Sequence, residues 1–268
     1  IITRTPFRVT LGGGGTDLPS YYSRFGGFIF SFALDKYMFI YVNRPVVDDL
    51  IRIKYSHSET VSCLKEVQHD IARVCLEKMG IKKSVEITSM ADIPAGSGLG
   101  SSSCYTVGLL NALHALKRDY VSLQELAEEA CEIEMVTLNK PMGKQDQYLA
   151  TFGGFSVLEI AKDGKVLVNK ADVSYSTIGE LKRNLLMFYT GKQRVNKKIL
   201  GLQDKATQRS EKAVLESLHY IKESSYKILE IVETGNITKL GLMFDEHWQY
   251  KKKLAKGISN PKFDQIYN

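Results

Sequence analysis

The sequence predicts an α+β fold, with strands and helices mixed over its first two thirds and helices dominating the last third. Three observations lead there: β-branched and aromatic runs near the N-terminus, capped periodic helices in the middle, and one hairpin signature followed by a long helical pattern.

Ile2–Leu11, Ile29–Val42 and Ile51–Tyr55 carry the β-branched and aromatic side chains of strands, and Ser84–Ser89 alternates Val85 and Ile87 with polar neighbours. Ser102–Leu116 reads as a helix. Ser122, three residues before Glu125, has capping-box spacing and opens another helix, which Asn139 and Pro141 end near Leu138. A short helical segment follows. GGFSVLEIAKDGKVLV then reads as a hairpin turning at Asp163-Gly164, and NLLMFYTG, Asn184–Gly191, reads as a buried strand. From there to Ala255 the pattern is mostly helical, with a break near Gly235-Asn236. There is no internal repeat, and a domain boundary is expected near residue 175.

With 44% hydrophobic and 25% charged residues, the chain is composed like an ordinary globular protein and can bury a sizeable core. No apolar run approaches the roughly 20 residues of a membrane helix. No leader precedes Ile1, so a cytoplasmic location is expected, without membrane contact. Cys63, Cys75, Cys104 and Cys131 lack the pairing of a zinc site or disulfide framework. The 36 basic residues are interleaved with 30 acidic ones, a balance that argues against nucleic acid and leaves room for a local cationic patch facing a phosphorylated small molecule.

Two glycine-rich stretches carry the chemistry. LGGGGTDLPSYYSRFGG, Leu11–Gly27, sets four glycines before Thr16 and Asp17. IPAGSGLGSSS, Ile93–Ser103, alternates Gly96, Gly98 and Gly100 between a strand and a helix whose first turn is serine. There the glycines permit positive φ, the serines can cap the helix, and successive N–H groups at the positive helix end form an anion-binding concavity. On pattern alone a flexible loop before a capped helix fits as well. The loop is neither a Walker A motif, lacking Gly-Lys-Ser/Thr, nor GxGxxG, since its third glycine comes one residue early.

As a whole, PAGSGLGSSS resembles the Pro-x-x-Gly-Leu-Gly-Ser-Ser signature of the GHMP kinases. The resemblance implies that family's two-domain fold, with a ribosomal protein S5-like N-terminal ATP-binding domain over 1–175 and a ferredoxin-like C-terminal domain over 176–268. It also implies that Pro94, Gly96, Ser97, Gly98, Leu99, Gly100, Ser101, Ser102 and Ser103 meet the phosphates of ATP. The third glycine-rich motif of the family is missing before Asn268, so the C-terminal domain is expected to be incomplete here.

Leu123, Leu126, Ala127, Ala130 and Ile133 define the inward stripe of the helix after Ser122. Glu134, eleven residues past Leu123, points about 20° from that leucine at 3.6 residues per turn. A carboxylate there needs a cation or hydrogen-bond donors, although Val136 breaks the pattern and a glutamate reaching outward from a helix end fits too. Similarity to GHMP kinases implies that Glu134 and Ser102 hold Mg2+. In GKQDQYLATFGG, Gly143–Gly154, Asp146 fits either a helix cap or a group that receives an acceptor hydroxyl. The same resemblance makes Asp146 the catalytic aspartate, as base or as positioning group, and Arg8 of RTPFRVTL its cationic partner.

Galactokinases carry Gly-Glu-His-x-Asp-Tyr where this chain has Gly-Gly-Gly-Thr-Asp-Leu. The variant here, with KQDQYLATFGG and FYTGKQR, is most similar to the branch acting on D-glycero-D-manno-heptose 7-phosphate, the fucokinase-like branch being next. That branch implies phosphorylation of the anomeric hydroxyl to a 1,7-bisphosphate, for nucleotide-activated heptose synthesis. Gly13, Gly14, Thr16, Asp17, Lys144, Gly191 and Arg194 would bind the sugar phosphate, with Lys192, Lys197, Lys198 and Arg4 as further cations near it. The alternatives are another sugar 1-kinase, fucokinase- or galactokinase-like, or a sugar or ATP sensor without catalysis. Oligomeric state is left open, a dimer included.

Overall fold

The computed structural model describes residues 1–190 and 196–268. In chain order the elements are β1 (Ile2–Gly12), α1 (Pro19–Phe25), β2 (Gly27–Asn43), β3 (Ile51–Lys54), β4 (Ser58–Val61), α2 (Asp70–Lys78), β5 (Val85–Ala91), α3 (Ser101–Lys117) and α4 (Leu123–Cys131), the last continued by a π-helical turn, Glu132–Thr137. Then come α5 (Gln145–Phe152), β6 (Phe155–Ile160), β7 (Val166–Lys170), α6 (Tyr175–Asn184), α7 (Asn196–Gln208), α8 (Lys212–Glu233), α9 (Leu240–Lys252) and α10 (Pro261–Tyr267). The fold is α+β, and among the described residues beyond β7 the regular elements are helices. No helix among the described residues is long and apolar enough to cross a membrane.

The chain forms two compact units. One comprises Ile1–Arg8, Ala33–Lys140 and Asp146–Gly153; the other comprises Val9–Phe32, Pro141–Gln145 and Gly154–Asn268.

In the first unit the C-terminal part of β2 pairs antiparallel with β5, from Met38 opposite Ala91 to Asn43 opposite Glu86. Parallel pairing joins β5 to β3, and β3 forms an antiparallel pair with β4. Period-two alternation turns Ile51, Ile53, Val85 and Ile87 inward, where they meet Leu76 of α2, Leu109 and Leu113 of α3, and Leu126 and Ala130 of α4. Within α3, Gly108 lets the helix approach β1 closely: a Cβ there would come 2.8 Å from Thr5 Oγ1. This contact fixes the helix whose first turn carries the serines.

In the second unit the N-terminal part of β2 pairs antiparallel with β6, Gly27 opposite Ile160 through Phe32 opposite Phe155, and β6 pairs with β7. Their hairpin turns where expected, with Gly164 at φ +87° and its N–H on Ala161 O. Phe28, Phe30 and Val157 pack with Ile228 and Val232 of α8 and Leu240 of α9. A second cluster joins Tyr21 of α1 to Leu218 and Ile221 of α8.

Three local expectations are corrected. Residues 185–190 form no strand: among the described residues no strand pairs with them, and Leu186, Met187, Phe188 and Tyr189 are exposed. β-propensity alone does not hold a strand without a neighbour to complete its ladder. Helix α3 is not capped by serine; its N-cap is Gly100, in the left-handed region. The helix after Ser122 has the expected capping box, yet its last turn widens, with the Leu138 N–H donating to Ile133 O five residues back. Leu123, at the helix start, is 52% exposed, whereas Leu126, Ala127, Ala130 and Ile133 are buried.

Candidate active site

Backbone comes first. Gly96, Gly98 and Gly100 have φ of 78°, 83° and 85°, conformations that side-chain-bearing residues rarely adopt. They carry the chain from the exposed Pro94 into the first turn of α3. Because no side chain caps that helix, the N–H groups of Ser101, Ser102 and Ser103 face the loop without an internal acceptor. The buried Ser97 hydroxyl likewise has no hydrogen-bond partner among the described residues. An orphaned hydroxyl in a glycine loop at a positive helix end suits a group of anionic oxygens, and the phosphates of ATP fit it.

Arg8 reaches the same loop from β1. Its N–H donates to Leu99 O at 3.4 Å and its Nη1 to Gly98 O at 3.0 Å. Nε donates to Asp146 Oδ1 at 2.8 Å, and Nη2 donates to the same oxygen. Neither bond involves Oδ2. Asp146 lies in the first turn of α5, and a Cβ at Gly100 would stand 3.6 Å from its Cγ. A guanidinium at this position pairs with one carboxylate oxygen without covering both of them.

Glu134 sits in the π-helical turn with its side chain fully buried. Its Oε2 accepts Ser103 Oγ at 2.6 Å and Gln147 Nε2 at 2.9 Å. Its Oε1 accepts the Ser102 hydroxyl and, at 3.2 Å, Lys140 Nζ. The cation that the sequence pattern demanded is therefore Lys140, which also donates to Ser102 Oγ at 3.1 Å. The contact between Ser102 Oγ and Glu134 Oε1 sets two hard oxygen donors side by side, a pair that suits Mg2+ with its other positions left to water and phosphate oxygens.

The acceptor candidates belong to the second unit. Asp17 is buried; its Oδ1 accepts the Gly15 N–H at 3.1 Å and its Oδ2 the Gln145 N–H at 3.1 Å. Thr16 Oγ1 donates to Phe28 O and accepts the Phe28 N–H. Gly13 lies against β2, where a Cβ would fall 1.8 Å from Phe28 O, and Gly14 O accepts from Lys251 Nζ. Lys144 Nζ donates to Gly164 O at 2.7 Å. Arg4, in the first unit, lies over the Tyr37 ring at 4.5 Å. Gly191, Lys192 and Arg194 lie outside the described residues.

Comparison with known proteins places this geometry. Residues 64–154, which include the glycine loop, Glu134 and Asp146, match the model of the GHMP kinases N terminal domain. A D-glycero-alpha-D-manno-heptose 7-phosphate kinase from Campylobacter jejuni is 28% identical over all of this chain and 81% of its own length. Over residues 64–154 the chain carries a GHMP kinase N-terminal domain. Its matches to kinases of this family make it a phosphotransferase with an alcohol group as acceptor. An L-fucokinase/L-fucose-1-P guanylyltransferase from Bacteroides fragilis is 26% identical over 98% of this chain and 31% of its own length. Among solved structures, a D-glycero-D-manno-heptose 1-phosphate kinase from Bacteroides thetaiotaomicron superposes with a TM-score of 0.78 at 25% identity, over 94% of this chain and 79% of that one.

Three residues of the site escaped sequence reasoning. Lys140 and Gln147 complete the shell of Glu134, six and thirteen residues further along the chain. Lys140 is close enough for a signal, being the first cation after Glu134, but its return depends on the left-handed Asn139, at φ +47°. Gly143 is the third: a Cβ on it would fall 2.0 Å from Asp17 Oδ2, so only glycine admits the buried carboxylate.

Proposed function

We propose that this GHMP kinase is an ATP-dependent sugar kinase that phosphorylates the anomeric hydroxyl of D-glycero-D-manno-heptose 7-phosphate, giving the 1,7-bisphosphate. The observation that carries the chemistry is the Arg8–Asp146 pair beside Gly98 and Gly100 of the loop suited to phosphates. Asp146 Oδ2 accepts the hydrogen bond of the sugar hydroxyl, whose oxygen attacks the γ-phosphorus. The hydroxyl proton passes to Asp146 or onward to solvent as the bond to the ADP oxygen breaks. Arg8 orients Asp146 through its two bonds to Oδ1 and offsets charge on the attacking oxygen. Loop N–H groups from Gly96 to Ser103 orient the phosphates, and Ser102 and Glu134 are the residues that would hold Mg2+. When bound, that ion neutralises charge between the β- and γ-phosphates. Asp17 and Lys144, with Gly191 and Arg194, are assigned to the sugar phosphate, residues 1–175 to the N-terminal ATP-binding domain and residues 176–268 to the C-terminal domain.

Support for the substrate comes from the heptose 7-phosphate kinase matched over the whole chain. The fucokinase relative supports a second reading, in which an unphosphorylated sugar is the acceptor. ADP release measured with heptose 7-phosphate, heptose 1-phosphate, fucose and galactose separates them. The proposal expects turnover with the 7-phosphate and a bisphosphate by mass spectrometry; turnover of fucose or galactose in its place overturns it.

A further inference from the structure

Lys140 does more than balance a buried charge. Its ammonium contacts the two oxygens assigned above to the metal, Ser102 Oγ at 3.1 Å and Glu134 Oε1 at 3.2 Å. The other carboxylate oxygen is held independently by Ser103 and Gln147, so the orientation of Glu134 does not depend on the lysine. The lysine side chain remains 12% exposed, whereas that of Glu134 is fully buried. A flexible four-carbon stem with one outlet to solvent can leave; a carboxylate with no such outlet cannot. The Lys140 backbone N–H donates to Glu134 O at 3.0 Å, which anchors the foot of that stem while its tip swings.

We propose that Lys140 is a placeholder cation, holding the Ser102–Glu134 pair in the metal-free protein and giving way when a divalent cation binds. This rests on the reading that Ser102 and Glu134 hold the metal. A buried carboxylate stripped of every cation is costly, so the pair needs a charge before the metal arrives. Like charges cannot share one pair of oxygens in a poorly hydrated site, so ammonium and metal exclude one another. The metal alone therefore binds weakly. Nucleotide phosphates offer the expelled ammonium a new partner, so metal and nucleotide bind cooperatively through Lys140.

The test uses Mn2+ alone, titrated into the full chain without nucleotide and followed by the electron paramagnetic resonance of the free ion. Lys140→Met should bind Mn2+ roughly tenfold or more tightly than the parent chain, since no resident ammonium competes. Its metal-free melting temperature should fall and should recover on adding Mn2+ by more than that of the parent. If Lys140→Met does not fold, Lys140→Gln, with a polar end and no charge, should show the same tightening. Mn2+ affinity unchanged or weakened in the folded variant overturns the placeholder role. Glu134→Gln separates the two levels of the claim. If it loses Mn2+ while the lysine variant binds like the parent, the metal pair stands and the placeholder falls. If it binds Mn2+ like the parent, the metal pair is wrong and the inference falls with it.

Discussion

At the scale of single residues, the proposed chemistry turns on one oxygen of Asp146. Both Arg8 bonds converge on Oδ1, and the proposed mechanism assigns the acceptor hydroxyl to Oδ2. Asp146→Asn keeps the shape and removes the charge that receives the proton, so kcat should fall by about 10²–10⁴-fold with little change in the KM for ATP, read by coupled ADP release. Arg8→Lys should also lower kcat, because an ammonium cannot reach Asp146 Oδ1 and Gly98 O together as a planar fork does. Gly143→Ala tests the acceptor side. Its Cβ would displace the buried Asp17 carboxylate, so the sugar-phosphate KM should rise and the melting temperature drop by several degrees, while ATP binding measured calorimetrically stays close to the parent value.

Among the elements, the helix from Ser122 shows how far local rules reach. The capping box and the stop at Asn139 follow from nearest-neighbour chemistry and were legible, as were the alternation of β5 and the Gly164 turn. The stripe is not buried throughout: Leu123, in the first turn, faces solvent, whereas Ala127, Ala130 and Glu134 are buried. Lys140 could not be read from helical phase because it lies past the helix, in a reversal set by one left-handed residue. Leu186–Tyr189 misled for the opposite reason, since side chains fit for a strand do not supply its neighbour. In the helical part of the second unit, His247 of α9 is hydrogen-bonded to Ser224 of α8, and burial, aided by the Lys251 charge, pushes its pKa down from 6.5 to about 4. The unfolded chain thus binds a proton that the folded one refuses. The stability that this difference contributes is full above pH 6.5 and is lost as pH falls toward 4. Melting temperatures measured across that window should decline less steeply in His247→Asn.

For the whole molecule, the division into two units gives the functional assignment a spatial form. The glycine loop, Arg8, Glu134 and Asp146 belong to the first unit, and Gly13–Asp17 with Lys144 to the second. No local pattern foretold this division, because each unit is assembled from three separated stretches, and the chain passes from one unit to the other between Arg8 and Val9 and between Gln145 and Asp146. The pairing of Arg8 with Asp146, 138 residues apart, was accordingly legible only through family resemblance. Ligands should therefore protect different stretches of backbone from amide exchange. A non-hydrolysable ATP analogue with Mg2+ should slow exchange over Gly96–Ser103 and the start of α3, where the N–H groups lack acceptors. Heptose 7-phosphate alone should slow it over Gly12–Asp17. Each ligand adds stability by mass action to the unit it contacts, about 2.7 kcal/mol at a hundredfold excess over its Kd, which slows exchange roughly a hundredfold where opening needs that unit to unfold. Protection of Gly12–Asp17 by the nucleotide alone, with none from the sugar phosphate, would remove the four-glycine stretch from the acceptor side.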